Sequence, residues 1–507
     1  MVSKIMSCTI EDLEAVPVQV ELDLAGGLPG LSIVGLGDAA VRESKERVLA
    51  ALRNSGYRLP ASRITVNLAP ADLKKEGSRF DLPIALGILS ALGAFPNDAL
   101  DGFLVMGELS LTGEIVGREA SFPAALLARN AGLEGIILPP GMAAEASLVS
   151  DCRTYPVERL SEAIEFLRGH RDLDTAPPLP VRKSVRQPDM SEVKGQDFPK
   201  RALEISAAGG HNLLMTGPPG SGKTMLARRL PGLLPPLSGE EALQVTAIHS
   251  VAGMLSVADG LVRTPPFRAP HHTISNIGLS GGGSRIRPGE VTLAHCGVLF
   301  LDEMSEFSRS ALESLRQPLE DGRIVISRAA RTATFPARFT LIGATNPCPC
   351  GFCGHELRPC ICPPSAIARY QRRISGPLLD RIDMVVEVAG VPPDRIGTVE
   401  AGEPTASVRR RVLSARNKQE NRAENGFGKI NAALTPTDLD ELCPIGPEGK
   451  SMISEAIKTL GLTARGYHRI LRVARTIADL DEKDVPEEQH LAEAIQYRPV
   501  LDAFNLR

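Results

Sequence analysis

The sequence predicts an α/β protein in which two α/β regions are followed by a helical one, and three observations carry that expectation. Short β-type runs alternate with helical stretches over residues 1–172 and again over 191–393. In the second region an apolar strand runs directly into Gly217-x4-Gly222-Lys223-Thr224 and then a helix. Over 394–507 the apolar residues recur at helical period, as in "TARGYHRILRVARTIADLD".

Each part has its own reasons. The first contains "VPVQVELDLAG", "RITVNLAP", "FLVMGELSLTGEI" and "GIILP" as strands, with "DAAVRESKERVLAALRNSG" and "FDLPIALGILSALG" as helices between glycine turns. Residues 173–190 are rich in proline, which propagates neither helix nor sheet, and read as a linker. A chain of 507 residues suggests about three domains. The formal net charge of -3 means that any nucleic-acid partner must be held by local basic elements. With no Trp and five Tyr, a stacking platform for single-stranded bases is not expected. The N-terminus lacks a signal-peptide core, and the longest apolar stretch, 82–95, is too short to span a bilayer. A cytoplasmic protein without membrane contact is expected, with reduced cysteines.

The glycine-rich loop is the first piece of chemistry. Gly217, Pro218, Pro219, Gly220, Ser221 and Gly222 let backbone N–H groups close around phosphate oxygens. Lys223 can reach the β/γ-phosphates, and the Thr224 hydroxyl can ligate Mg²⁺. About 75 residues on, "CGVLFLDEMSEF" delivers Asp302 and Glu303 at a strand end. Asp302 is expected in the Mg²⁺ shell and Glu303 beside the attacking water. A third strand, "RFTLIGATN", ends in Asn346, which could orient that water at the same sheet edge. ATP and Mg²⁺ are the implied cofactors.

Together with "VKGQDFPKRALEISAAGGHN" (193–212), "PGEVTLAHCGVLFLDE" (288–303), "NPCPCG" (346–351) and "RYQRRISGPLLDRID" (369–383), these motifs resemble the magnesium chelatase-like AAA+ ATPases, and within them the ComM/YifB family. The resemblance spans the chain. It implies a P-loop domain with hairpin inserts, a helical lid and a ring, a homo-hexamer, with ATP at subunit interfaces. It implies branch migration of DNA in recombination and natural transformation. By the same resemblance Arg381 in "LLDRID" is an arginine finger, Arg465 in "LTARGYHR" a second sensor, and Gly195 and Gln196 lie near the adenine. A local pair of Arg381 with Asp380 or Asp383 is the plainer alternative. An arginine supplied in trans is worth roughly 10³–10⁵ in rate and ties hydrolysis to assembly.

The first region resembles the Lon protease domain in "MGELSLTGEI" (106–115) and "AALLARNAGLEGIILPP" (124–140). The catalytic Ser–Lys pair does not carry over, so an inactive fold is expected, serving nucleic-acid binding or assembly. Two stretches of the motor region, 261–289 and 322–339, are basic and free of acids, with Arg268, Arg285 and Arg287 in one and Arg323, Arg328 and Arg331 in the other. In related motors hairpins at these positions project toward the ring's pore. Six copies would form a positive funnel for DNA, branched or single- or double-stranded, without sequence preference. Solvated hairpin faces are the alternative.

Residues 348–362 hold Cys348, Cys350, Cys353, Cys360 and Cys362, with His355 as a further donor. Four would make a tetrahedral structural Zn²⁺ site. Spacing favours Cys350, Cys353, Cys360 and Cys362; the family resemblance favours Cys348, Cys350, Cys360 and Cys362. Three other functions compete with a DNA motor. A chelatase motor subunit would leave residues 1–172 unexplained, a protease lacks its dyad, and a regulatory ATPase would ignore DNA.

Overall fold

The computed structural model describes residues 2–117, 120–177, 187–256, 260–283, 286–328, 331–355, 358–390, 402–426, 428 and 430–498. The chain divides into two compact units, Met1–Lys183 with Ala242–Val262 and Ser184–Glu241 with Arg263–Arg507. Half of the 173–190 linker, residues 178–186, lies outside the described residues.

The first unit is built on a seven-stranded sheet. β1 (Val2–Glu11) pairs antiparallel with β2 (Glu14–Gly26) along its whole length, and β2 with β4 (Ser62–Ala69); β3 (Gly30–Val34) lies parallel to β4 at the edge. On the other side β5 (Phe103–Val105), β8 (Gly135–Leu138) and β9 (Arg153–Pro156) follow β1 in parallel. A short pair, β6 (Glu108–Leu109) and β7 (Ile115–Val116), stands apart. The apolar 82–95 stretch becomes helix Asp81–Ala91, buried along its length against Val20 and Leu22 of β2. Among the described residues no helix is long and apolar enough to cross a membrane.

The segment 242–262, which the sequence places inside the second α/β region, packs with this first unit. Its Ala247, Leu243 and Leu261 join an apolar cluster with Phe122, Ala125 and Met142. The Ser250 hydroxyl donates to Glu145 at 2.5 Å, and Glu145 also accepts from the N–H groups of Ser121 and Phe122. An exposed apolar helix face is buried where a matching face exists, whatever the order along the chain.

The second unit carries a five-stranded, all-parallel sheet in the order β11 (Phe267–Arg268), β14 (Gly297–Leu301), β17 (Phe339–Thr345), β10 (Leu213–Thr216), β18 (Met384–Glu387). Its central strands β14 and β17 are buried throughout apart from Phe339 at the start of β17, as parallel strands covered on both faces must be. Two antiparallel hairpins are inserted, β12 (Gly281–Gly282) with β13 (Arg287–Pro288), and β15 (Arg323–Arg328) with β16 (Arg331–Pro336).

The C-terminal region is helical as expected, but it is not a separate compact unit. Val412 and Ala415 of helix Thr405–Ala423 and Ile470, Ala474 and Ile477 of helix Ala464–Leu480 share one core with Leu203, Ile205 and Ala208 of helix Asp197–Gly209. Polar contacts lock the same seam. Gln419 donates to the Ala208 carbonyl at 2.9 Å, Arg416 to that of Ala207 at 2.7 Å, and Arg411 to Glu204 at 2.5 Å.

Candidate functional site

The C-terminal ends of β10, β14 and β17 converge on one place. The loop after β10 runs from Gly217 to Gly222 into helix Lys223–Ala227. A Cβ on Gly217 would lie 2.2 Å from the Val388 carbonyl oxygen, so only glycine lets the loop turn so close to β18. Inside the loop the Lys223 ammonium donates to the carbonyls of Gly217 (2.7 Å) and Pro218 (2.9 Å) and lies 3.3 Å from Asn346 Oδ1. Burial pushes its pKa below the ordinary lysine value, a cost that anionic phosphate oxygens would offset.

Thr224 donates its hydroxyl to Asp302 Oδ2 at 2.7 Å. A hydroxyl and a carboxylate in contact beside a phosphate loop fit Mg²⁺, which takes few protein oxygens and shares the rest with phosphate and water. Glu303 follows with φ at 49°, a left-handed backbone that is uncommon for a side chain of its kind and is found preferentially at functional sites. Its side chain is half exposed, with His272 Nδ1 3.4 Å from Oε2. His272 was not singled out from the sequence. It lies four residues past the end of β11, the parallel neighbour of β14, and only that strand pairing brings it to Glu303. Gln196, also left-handed, donates its side-chain amide to the carbonyls of Ala389 (2.5 Å) and Ser221 (3.4 Å), which ties the Gly195–Gln196 turn to the phosphate loop.

The cysteine loop leaves β17 through Asn346 and packs on the same site. Gly351 has φ at +84°, and a Cβ there would stand 2.5 Å from Pro219 Cδ. The four sulfur atoms of Cys348, Cys350, Cys360 and Cys362 lie within 4.8 Å of one another. Three of the pairs measure 3.4, 3.6 and 3.6 Å. Those separations are too long for disulfides and near the roughly 3.8 Å between thiolates sharing one tetrahedral Zn²⁺. Cys353 is not in the foursome; its backbone N–H donates to Cys348 Sγ at 3.3 Å. The four sulfurs that could share one ion are therefore those implied by the family resemblance rather than by spacing. Purified protein is expected to carry about one Zn²⁺ per chain. Elemental analysis of protein never exposed to chelator checks this, and well under one equivalent would return the cluster to free thiols.

The two arginines occupy the other end of the sheet. Arg381 precedes β18, and its carbonyl accepts from the Asn212 amide just before β10. β10 and β18 pair Leu213 with Met384 at this end and Thr216 with Glu387 at the phosphate-loop end, about 10–13 Å away. Arg381 pairs with neither Asp380 nor Asp383. It donates to the Pro377 carbonyl at 2.7 Å and to Glu320. Arg465, at the start of helix Ala464–Leu480, lies with Nη2 3.9 Å from the other oxygen of Glu320. Both arginines thus stand apart from their own chain's phosphate loop.

Of the six arginines expected on DNA, Arg323 and Arg328 are exposed on β15 and Arg287 on β13. The hairpins meet: a Cβ on Gly282 would lie 3.5 Å from Arg328 Nη2, and one on Gly281 2.9 Å from Ile326 Cδ1. Arg268 does not join them. It belongs to β11 of the central sheet, where Glu290 engages it in a bidentate pair at 2.6 and 2.7 Å. Arg285 and the side chain of Arg331 lie outside the described residues. In the first unit, a cavity of about 610 Å³ is lined by Ser78, Arg79, Glu108 and Met142 among others, with no lysine among its described lining residues. Ser78 donates to Glu108 there. No Ser–Lys pair for acyl transfer lies among those lining residues.

A phosphate loop, an acidic strand end and a third polar strand end on a parallel sheet, joined to a helical C-terminal region, define the class as magnesium chelatase-like AAA+ proteins, and comparison agrees. Models for magnesium chelatase subunit ChlI match residues 189–396 and 20–142, and one for its C-terminal part matches 402–498. YifB of Escherichia coli (strain K12) is 44% identical over 490 residues, covering 96% of this chain and 95% of its own. Competence protein ComM of Haemophilus influenzae is 45% identical over 497 residues, 96% of each. The 38 kDa subunit of the Rhodobacter capsulatus magnesium chelatase is 26% identical over 339 residues, 59% of this chain and 83% of its own. The chain belongs to the ComM/YifB family of magnesium chelatase-like AAA+ proteins. Membership implies ATPase activity.

Proposed function

We propose that the protein is an ATP-driven ring motor, a homo-hexamer that moves branched DNA during recombination or uptake. ATP binds at Gly217–Thr224 with Mg²⁺ on Thr224 and Asp302, and Glu303 polarises the attacking water with Asn346 orienting it. The metal would supply charge neutralisation at the β- and γ-phosphates when bound. Lys223 holds the phosphates, and Gln196 with Gly195 closes the adenine side. The zinc loop is structural: through Gly351 on Pro219 it keeps Asn346 and the phosphate loop in register.

The position of Arg381 and Arg465 at the far end of the sheet supports a ring. Arg381 leaves the chain at the end of β18 opposite the phosphate loop, about 10 Å of strand away, which suits it to a neighbour's nucleotide better than to its own and supports a site shared between subunits. The meeting of the two basic hairpins is the observation that carries DNA as substrate. Arg287, Arg323 and Arg328 stand on hairpins that touch, so a ring would repeat one basic surface around its axis. The competence name of the Haemophilus influenzae relative supports the same reading. The first unit, Lon-like in its motifs, serves assembly or DNA binding rather than proteolysis.

ATPase rate with and without a four-way junction tests the proposal. Stimulation is expected, shrinking with salt as phosphate contacts release counterions. Arg328→Ala should lose the stimulation and affinity for unrelated sequences alike, while basal hydrolysis and ring formation survive. Arg410→Ala, on the exposed side of helix Thr405–Ala423, should change little. DNA response unaltered in Arg328→Ala but lost in Arg410→Ala would move the grip off the hairpins. No response to any DNA would favour a regulatory ATPase.

A further inference from the structure

We infer that Glu320 is a positioning residue: it holds Arg381 and Arg465 together as one unit and anchors that unit to the root of the β15–β16 hairpin. The inference rests on the reading of both arginines as serving a neighbour's ATP.

The geometry is a fork with one oxygen for each arginine. Oε2 accepts from Arg381 Nη2, and Oε1 faces Arg465 Nη2 at 3.9 Å. Apart from Glu320, the Arg381 guanidinium donates to the Pro377 carbonyl, and its Nε makes no hydrogen bond among the described residues. A guanidinium has five N–H donors, so Arg381, 12% exposed, keeps donors beyond those that Glu320 and the Pro377 carbonyl use. Arg465 is 63% exposed, and a long exposed cation without an anchor samples many rotamers. Two guanidinium groups this close also repel, and the carboxylate between them removes that repulsion. The two arginines hold the Glu320 carboxyl below its ordinary value, Arg381 first, so it is charged at neutral pH.

The anchor leads to the hairpin. Glu320 lies in helix Arg316–Asp321, which ends on Gly322; the Gly322 N–H donates to the Pro318 carbonyl at 3.0 Å. The Gly322 carbonyl accepts from Ala337 at 2.8 Å across the root of the hairpin, and Arg323 is the first residue of β15. Only two residues, Asp321 and Gly322, therefore separate the residue that orients the arginine pair from the first basic residue of the proposed DNA surface. A shift of the hairpin root moves Glu320, and with it the groups that stabilise charge on the neighbour's nucleotide.

Glu320→Ala is the test, with Glu320→Gln beside it. A misplaced catalytic group can cost on the order of 10²-fold in rate, so kcat should fall about 10–100-fold while ATP affinity and ring formation stay unchanged. Glu320→Gln keeps an oxygen for Arg381 but no charge, and should fall between. Mixed with Lys223→Ala subunits, Glu320→Ala should regain turnover, because its intact phosphate loop then receives arginines from a neighbour. A kcat equal to or above wild type in both variants would overturn the inference. So would a loss of ATP affinity, or a loss of turnover not regained in mixed rings when that of Arg381→Ala is. If Arg381→Ala itself regains nothing in demonstrated mixed rings, the shared-site reading fails, and the role of Glu320 fails with it.

Discussion

Glu303→Gln is expected to bind ATP as tightly as the wild type and to hydrolyse almost none of it. The amide keeps the size and position of the side chain but has no basic oxygen to polarise water. Loss of a positioned base typically costs 10²–10⁴ in rate, about that much here. Glu303 suits the role because its carboxylate is half exposed at the strand end, while that of Asp302 accepts from the Thr224 hydroxyl. Lys223→Ala should separate cleanly from it. That change removes the ammonium from inside the phosphate loop, so nucleotide affinity itself should drop. Equilibrium binding of a fluorescent ATP analogue, beside steady-state phosphate release, reads both quantities. A Gln variant that turns over at near wild-type rate would mean that another group polarises the water.

Arg381→Ala should be as inactive, by roughly 10³–10⁵ in rate, yet recoverable in a way Glu303→Gln is not. Its defect lies in what it offers its neighbour, since its own phosphate loop is untouched and lies at the opposite end of β10 and β18. Rings mixed from Arg381→Ala and Lys223→Ala subunits contain interfaces where an intact loop meets an intact arginine. Turnover should reappear with mixing ratio as such interfaces form. Mixing Glu303→Gln with Lys223→Ala should recover nothing, because each carries its defect in its own nucleotide pocket. Absence of recovery for Arg381→Ala, with mixed rings shown by mass, would count against an arginine acting between subunits.

By itself the sequence determined what local spacing can encode. Residues 217–224 have to form a phosphate loop, because the glycines, lysine and threonine act within one turn of chain. Asp302, Glu303 and Asn346 were legible because each ends an apolar strand, and parallel strands present their ends at one edge. The β15–β16 hairpin was legible from alternation alone. Tertiary structure decided whatever depends on partners distant in sequence. Cys353 has better spacing than Cys348, yet the fold gathers Cys348 with Cys350, Cys360 and Cys362 and leaves Cys353 only a backbone N–H to give. Arg268 reads as basic surface, but Glu290, 22 residues on, engages its Nε and Nη2 in a bidentate pair. Segment 242–262 lies between motor motifs and buries its apolar face in the other unit. His272 reaches Glu303 only through the pairing of β11 with β14, and Glu320 reaches Arg381 across 61 residues and Arg465 across still more. Charge pairing and burial act through space, so a chain read in order shows which groups need partners, and only the fold supplies which partners they meet.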